Sequence, residues 1–248
     1  MEIDIDGFVE RGFVRLPGAV PREPAQRLRV AAQGLVGAAG PGETWRLGQA
    51  SVYDLPALID AATPAIRAAF DVLAGANQWH LAANWGFPTR FPGHCETLWH
   101  IDGDWFTHHV TSGDQVLTPI FLWDDVDVDD GPTVLGVGSH LAVARLLARS
   151  EPDGISGASI SRVVHDNVAC DDVALATGAA GDVIVCHPFL AHTINPAGPK
   201  RPRYISNVAV HGRAPLQHIP TSSHELTPVE AANRHALNLA AEGGRPPA

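Results

Sequence analysis

Thirteen histidines lie among the 248 residues, and neutral imidazole is the commonest metal ligand among side chains. The informative one is His100, two residues from Asp102 in Leu98-Trp99-His100-Ile101-Asp102-Gly103-Asp104-Trp105. On extended backbone, positions i and i+2 share a face, so an imidazole and a carboxylate converge on one point. Alone, a His-x-Asp reads equally well as a His–Asp hydrogen bond at a strand end. What adds to it is Gly181-Asp182-Val183-Ile184-Val185-Cys186-His187-Pro188-Phe189-Leu190-Ala191-His192, where a Gly-Asp turn feeds an apolar strand that delivers a further histidine, His187 or His192. Two imidazoles and one carboxylate on one side of a metal are the donor set of non-haem Fe(II) sites, which keep positions open for a co-substrate and O2. Arg203 follows, eleven residues beyond His192 at the start of the next apolar run. Its guanidinium can hold a carboxylate through two parallel hydrogen bonds, as an anionic oxo-acid requires.

Those residues need elements to position them. The texture of the chain supplies two kinds. Pro21 to Leu35 has helical spacing, with Leu28, Val30 and Leu35 as candidate buried positions, and Thr63 to Leu73 reads as a second helix. There Thr63 can cap, Pro64 can take the first helical position, and Ile66, Phe70 and Leu73 recur on one face. The opening Gly7 to Leu16 reads as a short strand. From about residue 78, short apolar runs alternate with Gly, Pro and Asp turns: 80–87, 97–101, 116–123, 133–137, 182–186 and 204–210. Such spacing predicts a sandwich, jelly roll or barrel. A short helix is expected over Leu141 to Arg149, and an amphipathic segment over Pro228 to Leu239 in a polar tail. The expectation is a single domain over 1–248: a helical part to about 77, packed on the outside of a β core over about 78–212, then a tail from 213.

Composition narrows the function. Hydrophobic residues make up 45% and charged residues 18%, enough for a proper core and against disorder. The formal charge of −10 repels phosphate backbones and argues against a general nucleic-acid binder. Cys95, Cys170 and Cys186 are too widely spaced for a disulfide framework or a zinc knuckle. Met1 to Phe13 carries no basic or apolar leader pattern, and no apolar run reaches the length of a membrane span. A cytoplasmic protein without membrane or nucleic-acid partners is expected. The Ala-, Arg- and Gly-rich composition with one lysine, Lys200, points to a high-GC bacterium.

The order His100-x-Asp102, then His192, then Arg203 resembles the phytanoyl-CoA dioxygenase family of Fe(II)/2-oxoglutarate oxygenases. Asp6-Gly7-Phe8 through Leu16-Pro17-Gly18 is similar to that family's N-terminal signature. Leu122-Trp123-Asp124-Asp125-Val126, Gly131-Pro132-Thr133-Val134 and Gly136-Val137-Gly138-Ser139-His140 resemble its central strand pair with a Gly-Ser-His turn. The resemblance implies a double-stranded β-helix, a cupin-like jelly roll with flanking N-terminal helices. It implies that His100, Asp102 and His192 ligate Fe(II), and that Arg203 holds the distal carboxylate of 2-oxoglutarate with Thr133 adding a hydroxyl. The implied reaction couples oxidative decarboxylation of 2-oxoglutarate, with O2 as co-substrate, to oxidation of an unactivated C–H bond in a small molecule. Hydroxylation in bacterial secondary-metabolite tailoring is the expectation; desaturation, epoxidation and cyclisation use the same oxidant. A carboxylate at Asp102 argues against halogenation, since halogenating relatives carry a small residue there. The alternative is a jelly-roll protein that has lost catalysis and binds a small ligand. The complete ligand set and Arg203 argue against it.

Within the resemblance, His192 is preferred to His187, which would stand sixteen residues from Arg203. Arg203 opens a strand whereas Arg201 sits in a Pro-rich turn. The acidic run Asp124, Asp125, Asp127, Asp129 and Asp130 lacks the Gly and closing Glu of a calcium loop and reads as a solvated turn. His140 reads as a structural hydrogen-bonding group, and His218, His224 and His235 as solvated. His108 and His109, being adjacent, should face opposite ways. Trp105 and Asp104 are candidates for the substrate pocket, with surface positions as the competing reading; the other tryptophans are expected mostly in the core. After His192 the chain continues Thr193-Ile194, where relatives often have Gly-Ser. The insert from Leu141 to Asp171 matches nothing in the family pattern.

Overall fold

A computed structural model describes residues 2–222 and 224–243. The N-terminal part contains α1 (Ile5–Arg11), β1 (Phe13–Leu16), α2 (Arg22–Val36), β2 (Trp45–Ser51), α3 (Ala57–Ala61) and α4 (Pro64–Ala74). The middle adds β3 (Trp79–Leu81), β4 (Asn84–Arg90), β5 (Thr107–His108), β6 (Thr118–Leu122), β7 (Val134–Gly136), α5 (Ser139–Arg149), β8 (Ile155–Ser156) and α6 (Gly157–Asn167). The remainder is β9 (Val173–Leu175), β10 (Val183–Cys186), β11 (His192–Thr193), β12 (Ile205–Asn207), β13 (Val210–Gly212) and α7 (Pro228–Gly243). Among the described residues no helix is long and apolar enough to cross a membrane.

Every strand pairing is antiparallel. A six-stranded sheet has the order β1-β10-β6-β12-β4-β2, and a three-stranded sheet the order β11-β7-β9. The large sheet takes β1 and β2 from the part of the chain read as helical. Its two faces do different work because side chains alternate along each strand. Trp85 and Phe87 of β4, Phe121 of β6, Val183 and Val185 of β10, and the flanking Trp123 and Val208 enter one core with Leu28 of α2 and Ile66 and Phe70 of α4. The intervening residues, among them Leu47, Pro88, Ile120, Ile205 and Asn207, line a cavity on the other face. A one-residue slip in any of these strands would exchange core for cavity.

Several expectations change. Gly7 to Arg11 is helical, not extended. Asp4 caps α1 by accepting from the Gly7 N–H at 2.9 Å, and Gly12 ends it at φ 87°. The helix α2 lies where expected, but its buried face is Ala25, Leu28, Ala32 and Val36, while Val30 and Leu35 are exposed. The cap at Thr63, Pro64 in the first turn and fully buried Ile66, Phe70 and Leu73 agree with the sequence. Residues 97–101 form no strand; their one sheet-like pairing is at His100. Elements with no counterpart in the sequence reading are β2, α3, α6 and the short strands β5, β8, β9 and β11. Of the six tryptophans, Trp79, Trp85 and Trp123 are core, whereas Trp45 and Trp105 are exposed. The tail helix α7 packs on α5, α1 and α4, and His224 pairs with Glu230 at 2.8 Å where a solvated side chain was expected. Residues 244–248 of that tail lie outside the described part, as does the side chain of Leu239.

Candidate metal centre

Two backbone hydrogen bonds build the centre. The His100 N–H donates to His192 O at 3.0 Å and the His192 N–H donates to His100 O at 2.9 Å. Directly opposed antiparallel residues project to the same face, and the two rings stand with centroids 4.4 Å apart. Each ring is then oriented in the same way. His100 Nδ1 donates to Leu98 O at 2.9 Å and His192 Nδ1 donates to Leu190 O at 3.1 Å. A carbonyl only accepts, so both rings carry a proton on Nδ1 and turn Nε2 towards the cluster, where a bound metal would take the place of any proton on it.

Asp102 completes the group. Its Oδ1 is 3.7 Å from His192 Nε2, and its Oδ2 accepts from Asn207 Nδ2 at 3.3 Å. One donor atom from each of His100, Asp102 and His192 fits within 4.8 Å of the others, and this is the one such cluster of three among the described residues. Burial alone would raise the Asp102 pKa. The hydrogen bond and charge of His192, with His100 and Asn207, outweigh it and hold the carboxyl at about 2. Burial and His192 push His100 down, so its lone pair is available at neutral pH.

Supports outside the cluster set its geometry. Ser139 Oγ donates to Gly136 O at 2.7 Å and accepts from the Ala191 N–H at 2.9 Å, which fixes the residue before His192. Upstream, Asp182 accepts from Gly18 N and Ala179 N and closes the turn into β10. Gly181 has φ 97°, and a Cβ there would lie 2.0 Å from Val20 O, so only glycine fits. Gly86 stands opposite Asn207 in the β4–β12 pairing, and a Cβ on it would fall 2.5 Å from Asn207 Oδ1. The sequence reading missed Asn207, and gave Ser139 only as part of a Gly-Ser-His turn with no role at the site. The period-2 pattern Arg203, Ile205, Asn207 was the available signal for the first.

The rivals separate cleanly. His187 is fully buried away from the cluster, between Phe8, His140 and Phe189, with Nε2 on Val229 O. Arg201 is about half exposed, paired with Asp124 and Asp130. The acidic turn is an ion-pair network more than a solvated loop, since Arg22 and Arg29 also bind Asp125 and Asp124, and Lys200 binds Asp129. His140 Nε2 donates to Val9 O at 3.0 Å, which ties α5 to α1. His108 is buried and His109 pairs with Glu151, facing opposite ways as adjacent residues do.

Arg203 is the least expected feature electrostatically. It is 3% exposed, donates to Thr133 Oγ1 at 3.2 Å, and leaves Nε without a partner. Its backbone is paired with that of Arg90, a second buried guanidinium, whose Nη atoms donate to Thr44 O and Asn195 O. No carboxylate among the described residues pairs with either arginine. Burial, with the Arg90 charge, lowers the Arg203 pKa to about 9, so the group stays charged at neutral pH. Arg203, Thr133 and the three cluster residues line one cavity of about 560 Å³, together with Ile120, Ile205 and Thr118. Trp105 and Asp104 line an adjoining cavity instead.

No protein-family model matches the chain, and no curated protein matches its sequence. Solved structures match over most of its length. SnoN, an epimerase crystallised with Fe3+, alpha ketoglutarate and nogalamycin RO, is 19% identical over 84% of this chain and 82% of its own, with TM-score 0.60. SnoK, a non-heme alpha ketoglutarate dependent carbocyclase from nogalamycin biosynthesis, is 17% identical over 86% and 84%, with TM-score 0.62. HygX from Streptomyces hygroscopicus, crystallised with nickel and 2-oxoglutarate, is 17% identical over 87% and 90%, with TM-score 0.55. The chain shares the fold of non-heme, 2-oxoglutarate-dependent enzymes.

Proposed function

We propose that this chain is an Fe(II)- and 2-oxoglutarate-dependent dioxygenase that hydroxylates an unactivated C–H bond of a small molecule, with O2 as co-substrate. The observation that carries the reading is one cavity holding a His-Asp-His cluster and a buried arginine with no carboxylate partner among the described residues. His100 and His192 hold the metal through Nε2 and Asp102 through a carboxylate oxygen, a donor set that suits Fe(II). Arg203 receives the distal carboxylate of 2-oxoglutarate, with the Thr133 hydroxyl beside it. Iron, 2-oxoglutarate and O2 together supply the oxidising power for C–H cleavage.

The chain's own part is positional. The Leu98 and Leu190 carbonyls fix the ring tautomers, and Asn207 fixes the Asp102 carboxylate, so the donors need no reorganisation on binding. Ile120 and Ile205 offer apolar surface to the methylenes of the co-substrate and keep water from its chain. The arrangement supports membership of the phytanoyl-CoA dioxygenase family, a double-stranded β-helix, and one oxygenase domain spanning the chain. Secondary-metabolite tailoring is supported by the composition and by the likeness to SnoN, SnoK and HygX.

Anaerobic titration with Fe(II) and 2-oxoglutarate tests the reading. One metal per chain, a 2-oxoglutarate-dependent visible absorption band and succinate formation on admitting O2 are expected. Stoichiometric iron and turnover retained in both His100→Ala and His192→Ala would overturn it.

A further inference from the structure

A second cavity of about 540 Å³ reaches the same cluster, sharing His100, Asp102 and Asn207 with the first. Its character is different. The first cavity is lined by Arg203 and by apolar Leu47, Pro88, Ile120 and Ile205. The second carries four side-chain amides among its apolar lining: Gln49 from β2, Asn84 from β4, Gln115 before β6, and Asn207 from β12. Asp104 and Trp105 form another part of its wall. Neither Lys nor Arg lines it. Apart from Asp102, whose charge a metal would offset, Asp104 is its one carboxylate.

Two of these groups are uncommitted. Gln115 is 3% exposed, and its Oε1 is buried without a hydrogen-bond partner while its Nε2 donates to Thr118. Turning the amide over exchanges the atoms and still leaves one without a partner, so this wall of the cavity holds a buried polar group with an unmet hydrogen bond in either orientation. Trp105 is 58% exposed beside Phe106, a large aromatic surface with little of its area covered. Aromatic faces attract cations and the C–H faces of rings. The amides match hydroxyl groups, which donate and accept as they do.

We infer that this second cavity is the primary-substrate subsite, and that it selects a polyhydroxylated small molecule carrying a protonated amine. Asp104 pairs with the ammonium, Trp105 covers the ring, and Gln115 with Gln49 and Asn84 reads the hydroxyls. An anionic substrate meets no positive group on this wall and is repelled by Asp104. The inference rests on the dioxygenase reading for the word substrate, but the recognition chemistry belongs to the cavity alone.

The test uses full-length protein loaded with Mn(II) and 2-oxoglutarate under anaerobic conditions. The probes are 2-deoxystreptamine, its N,N′-diacetyl derivative and myo-inositol, compared by saturation-transfer NMR and by quenching of tryptophan fluorescence. The amine should bind about tenfold more tightly than either neutral probe, the size of one charge-assisted hydrogen bond. Asp104→Asn should erase that preference, and Trp105→Ala should remove the quenching, with Mn(II) and 2-oxoglutarate binding unchanged in both. Equal affinity for charged and neutral probes, failure of all three to bind, or an unchanged preference in Asp104→Asn would overturn the inference. Metal and 2-oxoglutarate binding are read separately in the same samples. Their failure, with amine selectivity intact, would refute the dioxygenase reading and leave the cavity's selectivity standing.

Discussion

Replacing Arg203 by Met separates two opposite effects of one side chain. Burial lowers the Arg203 pKa from 12.5 to about 9, which at about 1.4 kcal/mol per pH unit is on the order of 5 kcal/mol opposing the buried charge. The sign is fixed by the direction: a folded state that disfavours the charged form is penalised at every pH where the unfolded chain carries that charge. Met fills a similar volume without charge and loses the bond to Thr133, worth about 0.5–1.5 kcal/mol. Replacement of buried ions by apolar groups gains about 1–4 kcal/mol. Arg203→Met is therefore expected to be more stable than the parent without ligand, by about 2–4 °C in Tm per kcal/mol for a chain of this size.

With 2-oxoglutarate the order reverses. The parent at a hundredfold excess over Kd gains about 2.7 kcal/mol. Truncating a buried charge pair costs about 2–5 kcal/mol, so the variant should show no ligand-induced shift at the same concentration. The assay is thermal unfolding of Mn(II)-loaded protein with and without 2-oxoglutarate. Arg201→Met is the control: its exposed pairs with Asp124 and Asp130 are worth about 1 kcal/mol or less, and its 2-oxoglutarate shift should match the parent. An Arg203→Met protein that is less stable than the parent without ligand, or that responds to 2-oxoglutarate as the parent does, would refute the reasoning.

Other outcomes follow from the same geometry. His187→Ala should lower thermal stability by opening a cavity beside Phe8 and Phe189, and should leave metal stoichiometry at one per chain; loss of metal at intact fold would remove His192 as the assigned ligand. On the proposed function, the native protein should give oxygenated product and no halogenated product in chloride or bromide buffer, because the Asp102 carboxylate would fill a coordination position, and mass spectrometry decides it. Asp102→Gly should chiefly lose metal, since anion-stabilising neighbours must accompany a halide site. Burial lowers His140 from 6.5 to about 4, and the adjacent His187 is lowered well below its ordinary range, first by burial and then by the His140 charge. Below pH 6.5 the unfolded chain takes up protons that the folded one refuses, so stability should fall by up to about 1.4 kcal/mol per pH unit per histidine from pH 6.5 towards 4. His192 is raised in the metal-free protein, so its contribution changes above pH 6.5 and does not mask this window. Chemical denaturation at stepped pH, compared with His140→Gln, reads the slope; equal slopes would exclude the buried histidine as its source.

Legibility in the sequence followed how local the physics was. Thr63-Pro64 and the spacing of Ile66, Phe70 and Leu73 specify a helix end and a face without help from the rest of the chain. The buried face of α2 was misjudged because residue size stood in for phase. Val30 lies two residues, about 200° of helical rotation, from Leu28, and two of the four buried positions are alanines. β2 was missed because the alternation of Trp45 and Leu47 stops at Gln49, and these positions border the cavities with much of their surface exposed. α6 buries only Gly157, Ile160 and Val164, too few apolar positions to stand out among serines. The residue set His100, Asp102, His192 and Arg203 was legible because its motifs have fixed spacing. Asn207 and Ser139 were not, since each acts on a residue that only tertiary structure brings near: Asp102 and Ala191.

The centre and the core are two faces of the same strands, and this explains how the fold tolerates the charge it buries. Arg203, Ile205 and Asn207 point into the cavity, while Tyr204, Ser206 and Val208 between them point into the core. Ser206 accepts a hydrogen bond from Trp123 Nε1 at 2.6 Å, with both side chains fully buried. Each cavity residue is thus held by neighbours whose positions are fixed on the far side of the sheet. Arg90 obtains two carbonyl acceptors, and Arg203 obtains one neutral hydroxyl. Supplying Arg203 with a carboxylate from the protein would remove the penalty and, with it, the attraction for an anionic ligand. The unfavourable charge and the ligand site are therefore one feature, and the large apolar face opposite provides the stability that lets it persist.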